Sequence, residues 1–464
     1  MSTDAAIRVS DPALLPVAEK VRAGQVLSFA DGVALSRSRD LHGIGRLANF
    51  VREKLHGNRT YYNRNRHINY TNVCALSCKF CSFYRKRGEE GAYEMPVEQV
   101  IATARKAADA GATEVHIVGG LHPWLKFDYY LDMLRGVRRE CPQLHIKAFT
   151  AIEIIHLGRI SHQSVHDVLV ALREAGLGSL PGGGAEIFDD RVHDEVFKGK
   201  VRADRWFEVH RTAHGLGIPS NATMLYGHVE TPEERIGHFV KLRELQEESL
   251  AAMRSAGRED AGTRGRGDAG NEEDDCKLQS ANCKVQIEKT GSAAPPAPQF
   301  EISDLQFAIC NRSPSLPASP RPRVSASSSP ACFNCVIPLS FIPEQSELGH
   351  LPGNTGLTDL KILAIARLMV HNIAHIKAFW IMQGIGLSQV ALDWGCDDLD
   401  GTVVWYDITK REGDGTHQEL HEKDLRRLIR EAGREPVERD TVYRPVRRDP
   451  ATDRVIVPEP LSVG

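Results

Sequence analysis

Three cysteines stand close together in the run NYTNVCALSCKFCSFYR, at Cys74, Cys78 and Cys81, with the spacing C-x3-C-x2-C. A thiolate is a strong ligand for soft metals, and three on one short loop can converge on a single metal group. Zinc in a structural site takes four ligands. The nearest extra donor, His67, lies seven residues before Cys74, an unusual spacing for zinc. An iron–sulfur cubane takes four thiolates for full ligation, so three leave one iron open. An open metal position is what binding a substrate at the metal requires. Taken alone, the triplet fits an iron–sulfur cubane with one open iron, and a zinc site with a further donor is the alternative.

Such a loop needs a scaffold, and composition bounds it. The chain has 464 residues, 41% hydrophobic and 26% charged, as in an ordinary globular protein of two or three domains or one large barrel with additions. The formal net charge of −3 gives no basic surplus, so no nucleic-acid partner is expected. No apolar run is long enough to span a bilayer, and MSTDAAIRVSDPALLP lacks a basic-then-apolar leader. No membrane association is expected, and a cytoplasmic location, where thiols stay reduced. Ten cysteines then point to metal binding where they cluster.

Residues 1–65 read as an N-terminal helical segment, because DPALLPVAEKVRAGQVLSFADGVALS carries apolar residues at helical spacing behind an Asp-Pro start. From 66 onward, short apolar runs alternate with amphipathic stretches. The runs are RHINYTNV, TEVHIVGG, LHIKAFT, LGSLPGGG, PSNATMLYG, FNCVIPLSFIP, AHIKAFW and SQVALDWG. Eight strand-like runs alternating with helices predict an α/β fold, a parallel (β/α)8 barrel of TIM type, the alternative being an open doubly wound sheet. The barrel is expected over 66–248 and 333–395, with a C-terminal extension over 396–464. The cysteines directly follow the first run, on a strand-to-helix loop, which is the catalytic face of such a barrel.

Residues 249–332 break the rhythm. They hold two aromatics, Phe300 and Phe307, and eight prolines, with the runs NEEDD and SPSLPASPRPRVSASSSP. This composition cannot bury enough apolar surface to offset ordering, so a disordered low-complexity insertion is expected. CKLQSAN at 276–282 is echoed by CKVQIEK at 283–289. Cys276, Cys283, Cys310 and Cys332 fall here; a metal site is one reading, and composition favours exposed bystander thiols. The insertion joins a helix to a strand, away from the catalytic loops. Closure cost grows only logarithmically with loop length, so the barrel tolerates it; the competing idea is that it breaks the barrel.

The C-x3-C-x2-C spacing with an aromatic, Phe80, before the last cysteine resembles the radical S-adenosylmethionine superfamily. INYTNVC, HIVGGLHP, LHIKAFTAIEI, SLPGGGAEIF, HRTAHGLGIPSNATMLYGHVETPEER, HIKAFWIM, VALDWGCDDLDGTV and DLRRLIREAGREPVERDTVY look like the aminofutalosine synthase family of the futalosine route to menaquinone. These stretches cover nearly all of the chain outside 249–332. The resemblance implies a TIM-type radical-SAM barrel and a [4Fe-4S] cluster on Cys74, Cys78 and Cys81 whose open iron chelates S-adenosylmethionine. It also implies an external reductant such as flavodoxin or ferredoxin. The substrate it implies is a small aryl enol-ether dicarboxylate, 3-[(1-carboxyvinyl)oxy]benzoate. The 5′-deoxyadenosyl radical would add to the alkene; aryl migration and loss of the carboxyl carbon would give 6-amino-6-deoxyfutalosine. Two carboxylates call for cationic or amide donors, and the sequence does not single out which of its many arginines supply them. Ile342, in PLSFIPE, stands where the family leads one to expect a polar residue. The alternatives are cyclic dehypoxanthine futalosine synthase, a deazaflavin-precursor synthase, or a non-catalytic cluster-binding relic.

Further residues are weighed against structural roles. The resemblance places Gly119 and Gly120 where the backbone approaches the amino group of S-adenosylmethionine, the physical need being a missing Cβ; a plain turn is the alternative. Glu153 can accept hydrogen bonds from a ribose or ammonium, or simply cap a helix. His122 is a proton donor or substrate partner, or structural. The loop from Pro181 to Glu186 offers amides to a cofactor, or makes a turn. Asn221 and Thr223 are expected to point to one side of their strand, into the barrel, with a ligand as a candidate partner. Asp397, Asp398 and Asp400 are expected to follow strand eight on the catalytic face. His210, Arg211 and His214 have helical spacing without an intervening glutamate and read as packing. Catalytic roles are assigned to His122 and Glu153, and cofactor contacts to Phe80, Gly119, Gly120, Glu153, Glu186 and Asn221.

Overall fold

A computed structural model describes residues 7–197, 199–264, 329–403 and 419–456, without the side chains of 258–264. Among the described residues nine strands carry the architecture: β1 (Arg59–Asn63), β2 (Asn65–Asn69), β3 (Glu114–Val118), β4 (His145–Ala148), β5 (Ser220–Tyr226), β6 (Phe333–Ser340), β7 (His375–Ile376), β8 (Asp398–Gly401) and β9 (Glu435–Glu438). β1 and β2 form one bent stave. Its upper half pairs with β3, Asn65 opposite Glu114 through Asn69 opposite Val118. Its lower half pairs with β8, Tyr61 opposite Asp398. β3 pairs with β4, β5 with β6 and β6 with β7. Single bridges join these sheets: Lys147 to Ser179, Leu180 to Ser220, and Lys377 to Asp398. Every one of these pairings is parallel, so the ring closes as eight staves, the fourth only two residues long.

Strand alternation sorts the side chains. On β3, Val115 and Ile117 face the helices, while Glu114, His116 and Val118 line the interior. The helix Val97–Asp109 buries Val100, Ile101, Ala104 and Ala107, one face at helical spacing. The helix Phe127–Glu140 does the same with Tyr130, Leu134 and Val137. N-terminal helices Leu15–Arg22, Phe29–Arg37 and Leu41–His56 cover the outside, the last packing on helix Gly356–Met369.

Four expectations are corrected here. SQVALDWG is not a strand: Ile385–Ala391 is a helix that buries Ser388 and Ala391. Strand eight is DLDG, whose inward residues are aspartates held by cations, so it carries no apolar alternation to read. Consequently Asp398 and Asp400 lie within strand eight rather than beyond it. Second, β1 starts inside the segment expected to be helical. Third, the helix Pro232–Arg264 runs past 249 and buries Ser249 and Leu250, because Leu242, Leu245 and Leu250 continue its apolar face. Cys332 also belongs to the barrel: its carbonyl accepts from Ser220 N–H at 3.3 Å and burial pushes its thiol up to about 11, so it is not an exposed bystander. The remainder of the expected insertion, with Cys276, Cys283 and Cys310, lies outside the described residues. Among the described residues, no helix is long and apolar enough to cross a membrane.

After β9, which pairs with β1 on the side away from β8, the chain enters the lower end of the barrel. Arg439, 1% exposed, donates to Asp398 at 2.6 Å, and Thr441 Oγ1 donates to Glu114 at 2.7 Å. Tyr443 stacks on His375 with ring centroids 3.5 Å apart. This plug closes the barrel floor with paired charges, which a buried ionic group requires.

Candidate active site

The loop after β2 holds the three cysteines, and backbone ties fix its shape. Cys74 N–H donates to Arg85 O at 3.1 Å, and Lys86 Nζ caps the carbonyls of Cys74 and Leu76 at 3.1 and 2.9 Å. Backbone amides aim at the sulfurs. Leu76 and Leu121 N–H each lie 3.4 Å from Cys74 Sγ, and the amides of Tyr84 and Phe83 face Cys81. Burial pushes the Cys78 thiol up to about 11; Lys200 acts against that, and Cys81 and Cys74 act with it. Three sulfurs that feel one another's charge and receive amide donors suit a thiolate-ligated cluster, since N–H donors to sulfur stabilise the anionic set.

Gly119 and Gly120 follow β3 and brace this loop from behind. A Cβ on Gly119 would meet the Tyr70 ring at 2.8 Å, and one on Gly120 the Val73 carbonyl carbon at 2.8 Å. Gly120 N–H donates to Thr71 O at 2.8 Å. Here the missing Cβ serves packing against the cysteine loop rather than an open approach to a ligand. Glu153 is the third residue of the helix Ala151–Ser161 and closes its capping box with Thr150. One oxygen accepts from Tyr70 Oη at 2.9 Å and Gly119 N–H at 3.0 Å; the other accepts from Thr150 N–H and Oγ1, both at 2.7 Å. These four donors occupy both oxygens, and Glu153 does not line the cavity described below, so here it ties the helix terminus to the glycine pair. Burial raises its pKa to about 7. His122 is likewise turned away. Its Nδ1 accepts from Leu125 N–H at 3.1 Å and its Nε2 lies 2.7 Å from Glu94, so these contacts shape its own turn, and it does not line the cavity described below.

A cavity of about 240 Å³ opens beside the cysteine loop, inside the upper barrel. Phe80 and Cys81 border it together with Gly182, Gly183 and Gly184. Glu186, at φ 54, is ion-paired with Lys200, whose Nζ sits 4.8 Å from the centre of the Phe80 ring. Left-handed backbone at a non-glycine residue costs about 1–3 kcal/mol and marks a position held by its surroundings. Asn221 and Thr223 line the wall as expected; Thr223 Oγ1 donates to Gly182 O at 3.0 Å, while Asn221 Oδ1 has no hydrogen-bond partner among the described residues. Ile342 also touches the cavity, within an apolar wall of Ile337, Leu339, Phe341, Phe379 and Met382.

Two family models match the chain: the Radical SAM superfamily over residues 68–242 and the CofH/MqnC C-terminal region over 331–452. An aminodeoxyfutalosine synthase from Thermus thermophilus is 39% identical over 443 residues, covering 95% of this chain and 97% of that protein. The chain belongs to the radical SAM superfamily. Another aminodeoxyfutalosine synthase, from Streptomyces coelicolor, is 37% identical over 96% of this chain and 97% of its own length. A 5-amino-6-(D-ribitylamino)uracil–L-tyrosine 4-hydroxyphenyl transferase from Methanopyrus kandleri is 32% identical over 89% of this chain and 92% of that protein. Among solved structures, a methylornithine synthase superposes with a TM-score of 0.56 at 17% identity, covering 90% of this chain and 96% of that one. An [FeFe]-hydrogenase maturase superposes with a TM-score of 0.58 at 12% identity, covering 94% and 77%; both speak to the fold alone.

For a radical SAM enzyme the surprise lies at the cavity floor. His67, Glu114, His116, Lys147, Lys377 and Asp400 line it; from sequence only His67, as a metal donor, and Asp400, as part of a loop after strand eight, are weighed, and the other four are passed over. The lining holds lysines and, among the described residues, no arginine. The signal was present: charged residues interrupt the apolar strand runs TEVHIV, LHIKAF and AHIKAF, and a charge inside a buried strand demands a partner. The remaining expectations resolve as packing. His210 and His214 both hydrogen-bond Ser220 Oγ, at 2.9 and 2.8 Å, behind β5. Asp397 is held by Arg367 and by His375, the latter at 2.6 Å, away from the cavity.

Proposed function

We propose that this radical SAM enzyme joins the 5′-deoxyadenosyl group of S-adenosylmethionine to 3-[(1-carboxyvinyl)oxy]benzoate, with loss of the carboxyl carbon, to give 6-amino-6-deoxyfutalosine for menaquinone biosynthesis. The observation that carries this reading is identity of 39% and 37% over almost the whole length of two proteins named for that synthase. Cys74, Cys78 and Cys81 hold a [4Fe-4S] cluster, and Phe80, Glu186 and Asn221 contact S-adenosylmethionine beside it. When bound, the pair supplies one-electron cleavage of the sulfonium, fed by an external reductant such as flavodoxin or ferredoxin in the cytoplasm. The protein's own part is orientation. Gly119 and Gly120 let β3 support the cysteine loop, Glu153 ties that support to a helix terminus, and the apolar wall around Ile337 and Phe379 keeps water from the reacting atoms. The catalytic unit spans the barrel staves from 59 to 401, closed below by 435–443.

A second reading keeps the radical chemistry and changes the substrate to tyrosine and ribitylaminouracil, favoured by 32% identity over 92% of a transferase of that name. One anaerobic experiment separates them. The iron-loaded, reduced protein is given S-adenosylmethionine with each substrate set, and products are read by mass spectrometry. An adduct with the mass of aminofutalosine is the expected result. Free 5′-deoxyadenosine without that adduct rejects the substrate, and no cleavage in iron-loaded protein favours the relic.

A further inference from the structure

The pentapeptide HIKAF occurs twice, at 145–149 on β4 and at 375–379 on and after β7. These are the third and seventh staves, which face each other across an eight-stave ring. Alternation turns the lysine of each copy inward, and Lys147 and Lys377 both line the cavity floor with side chains only 4% and 5% exposed. Each ammonium is steadied from a neighbouring strand: Lys147 donates to Glu114 at 2.9 Å and Lys377 to Asp400 at 2.6 Å. An ammonium carries three N–H donors, and among the described residues neither Nζ makes a further hydrogen bond, although Asp398 also acts electrostatically on Lys377. His67 and His116 stand beside them with ring centroids 4.3 Å apart, and His116 Nε2 has no hydrogen-bond partner among the described residues. Both lysines act electrostatically on both rings and on Glu114.

Buried donors without acceptors are costly, and here several line the floor of one cavity beneath an apolar wall. The two carboxylates balance the two lysines, so the floor exerts no general pull on anions. What it offers is directional donors at the bottom of a slot lined by Ile337, Leu339 and Phe379. We propose that the floor between Lys147 and Lys377 is a carboxylate-binding subsite that takes the ring carboxylate of an arene substrate. The choice of an arene carboxylate as occupant rests on the function proposed above; the subsite itself rests on the twin lysines.

The test uses iron-loaded protein with S-adenosylmethionine and no reductant, so that nothing turns over. Binding of 3-hydroxybenzoate and of its methyl ester is measured by equilibrium dialysis. The acid is expected to bind at least tenfold more tightly. That preference is expected to vanish in the charge-balanced double variants Lys147→Met/Glu114→Gln and Lys377→Met/Asp400→Asn, with affinity for S-adenosylmethionine retained. Equal binding of acid and ester by the wild type, or an unchanged preference in both variants, overturns the subsite. Should a variant fail to fold, lysine acetylation of the wild type decides. Bound 3-hydroxybenzoate is expected to shield Lys147 and Lys377 severalfold more than the ester does; equal labelling overturns the proposal. Turnover is scored separately. Aminofutalosine formed by the wild type with binding unchanged in the variants keeps the reaction and removes the subsite. Lysine-dependent acid binding without that product keeps the subsite and removes the reaction.

Discussion

A single methyl group is enough to disturb the cysteine loop. Gly120→Ala would drive a Cβ into the Val73 carbonyl, one residue before Cys74, and backbone there cannot step aside as a side chain can. Overpacking of this kind costs roughly 1–3 kcal/mol. The variant is expected to melt lower and to retain less iron per chain, measured by thermal unfolding and iron assay; full iron content would show the loop to be more compliant than its packing implies. Cys78→Ala is expected to abolish 5′-deoxyadenosine release, and persistent release would remove the cluster assignment. Glu153 makes a pH prediction. Burial raises its pKa from 4.5 to about 7, so between those values the folded protein holds a proton that the unfolded chain has lost. Its favourable contribution is complete below about 4.5 and disappears as pH rises through 7. Stability of Glu153→Gln is therefore expected to fall less between pH 5 and pH 8 than that of the wild type, checked by denaturant unfolding at stepped pH; parallel profiles would contradict the shift. Cys74, Cys78 and Cys81 stood out because three thiols at C-x3-C-x2-C spacing fall on one short loop, and the structure keeps them on the loop after β2. Glu153 and His122 are hard to assign from sequence because a carboxylate or imidazole near a strand end reads alike whether it faces a cavity or caps its own turn.

At the scale of elements, the amphipathic helices were plain because one buried face repeats every three to four residues, as in Val97–Asp109. Strand eight was hidden for the opposite reason. DLDG buries aspartates that are paid for by partners far along the chain, and no local pattern announces that. The element most exposed to mutation is the C-terminal plug. Arg439→Met leaves Asp398, fully buried, without its guanidinium, and breaking such a pair costs about 3–5 kcal/mol. The expected outcome is a large drop in thermal stability, measured with and without bound S-adenosylmethionine; a drop below about 1 kcal/mol would mean that the plug does not hold the floor.

For the whole molecule, the cavity and its cysteines are assembled by staves from both sides of the segment 265–328, and every lining residue described lies outside that segment. Replacing 265–328 with a short glycine–serine linker is expected to preserve iron content and S-adenosylmethionine cleavage, because closure cost changes slowly with loop length. Loss of iron binding in a soluble, folded variant would overturn this. The sequence by itself determined what short-range spacing can encode: the grouping of three thiols, the alternation of strand runs with helices, and the position of the cysteine loop after the first stave. The tertiary structure decided what depends on ring closure. Thr441 meets Glu114 across 327 residues of chain, and the two HIKAF lysines converge only because their strands face each other in a closed barrel. Spacing along the chain acts through local backbone geometry, whereas the pairing of buried charges is settled by which strands the closed ring brings together.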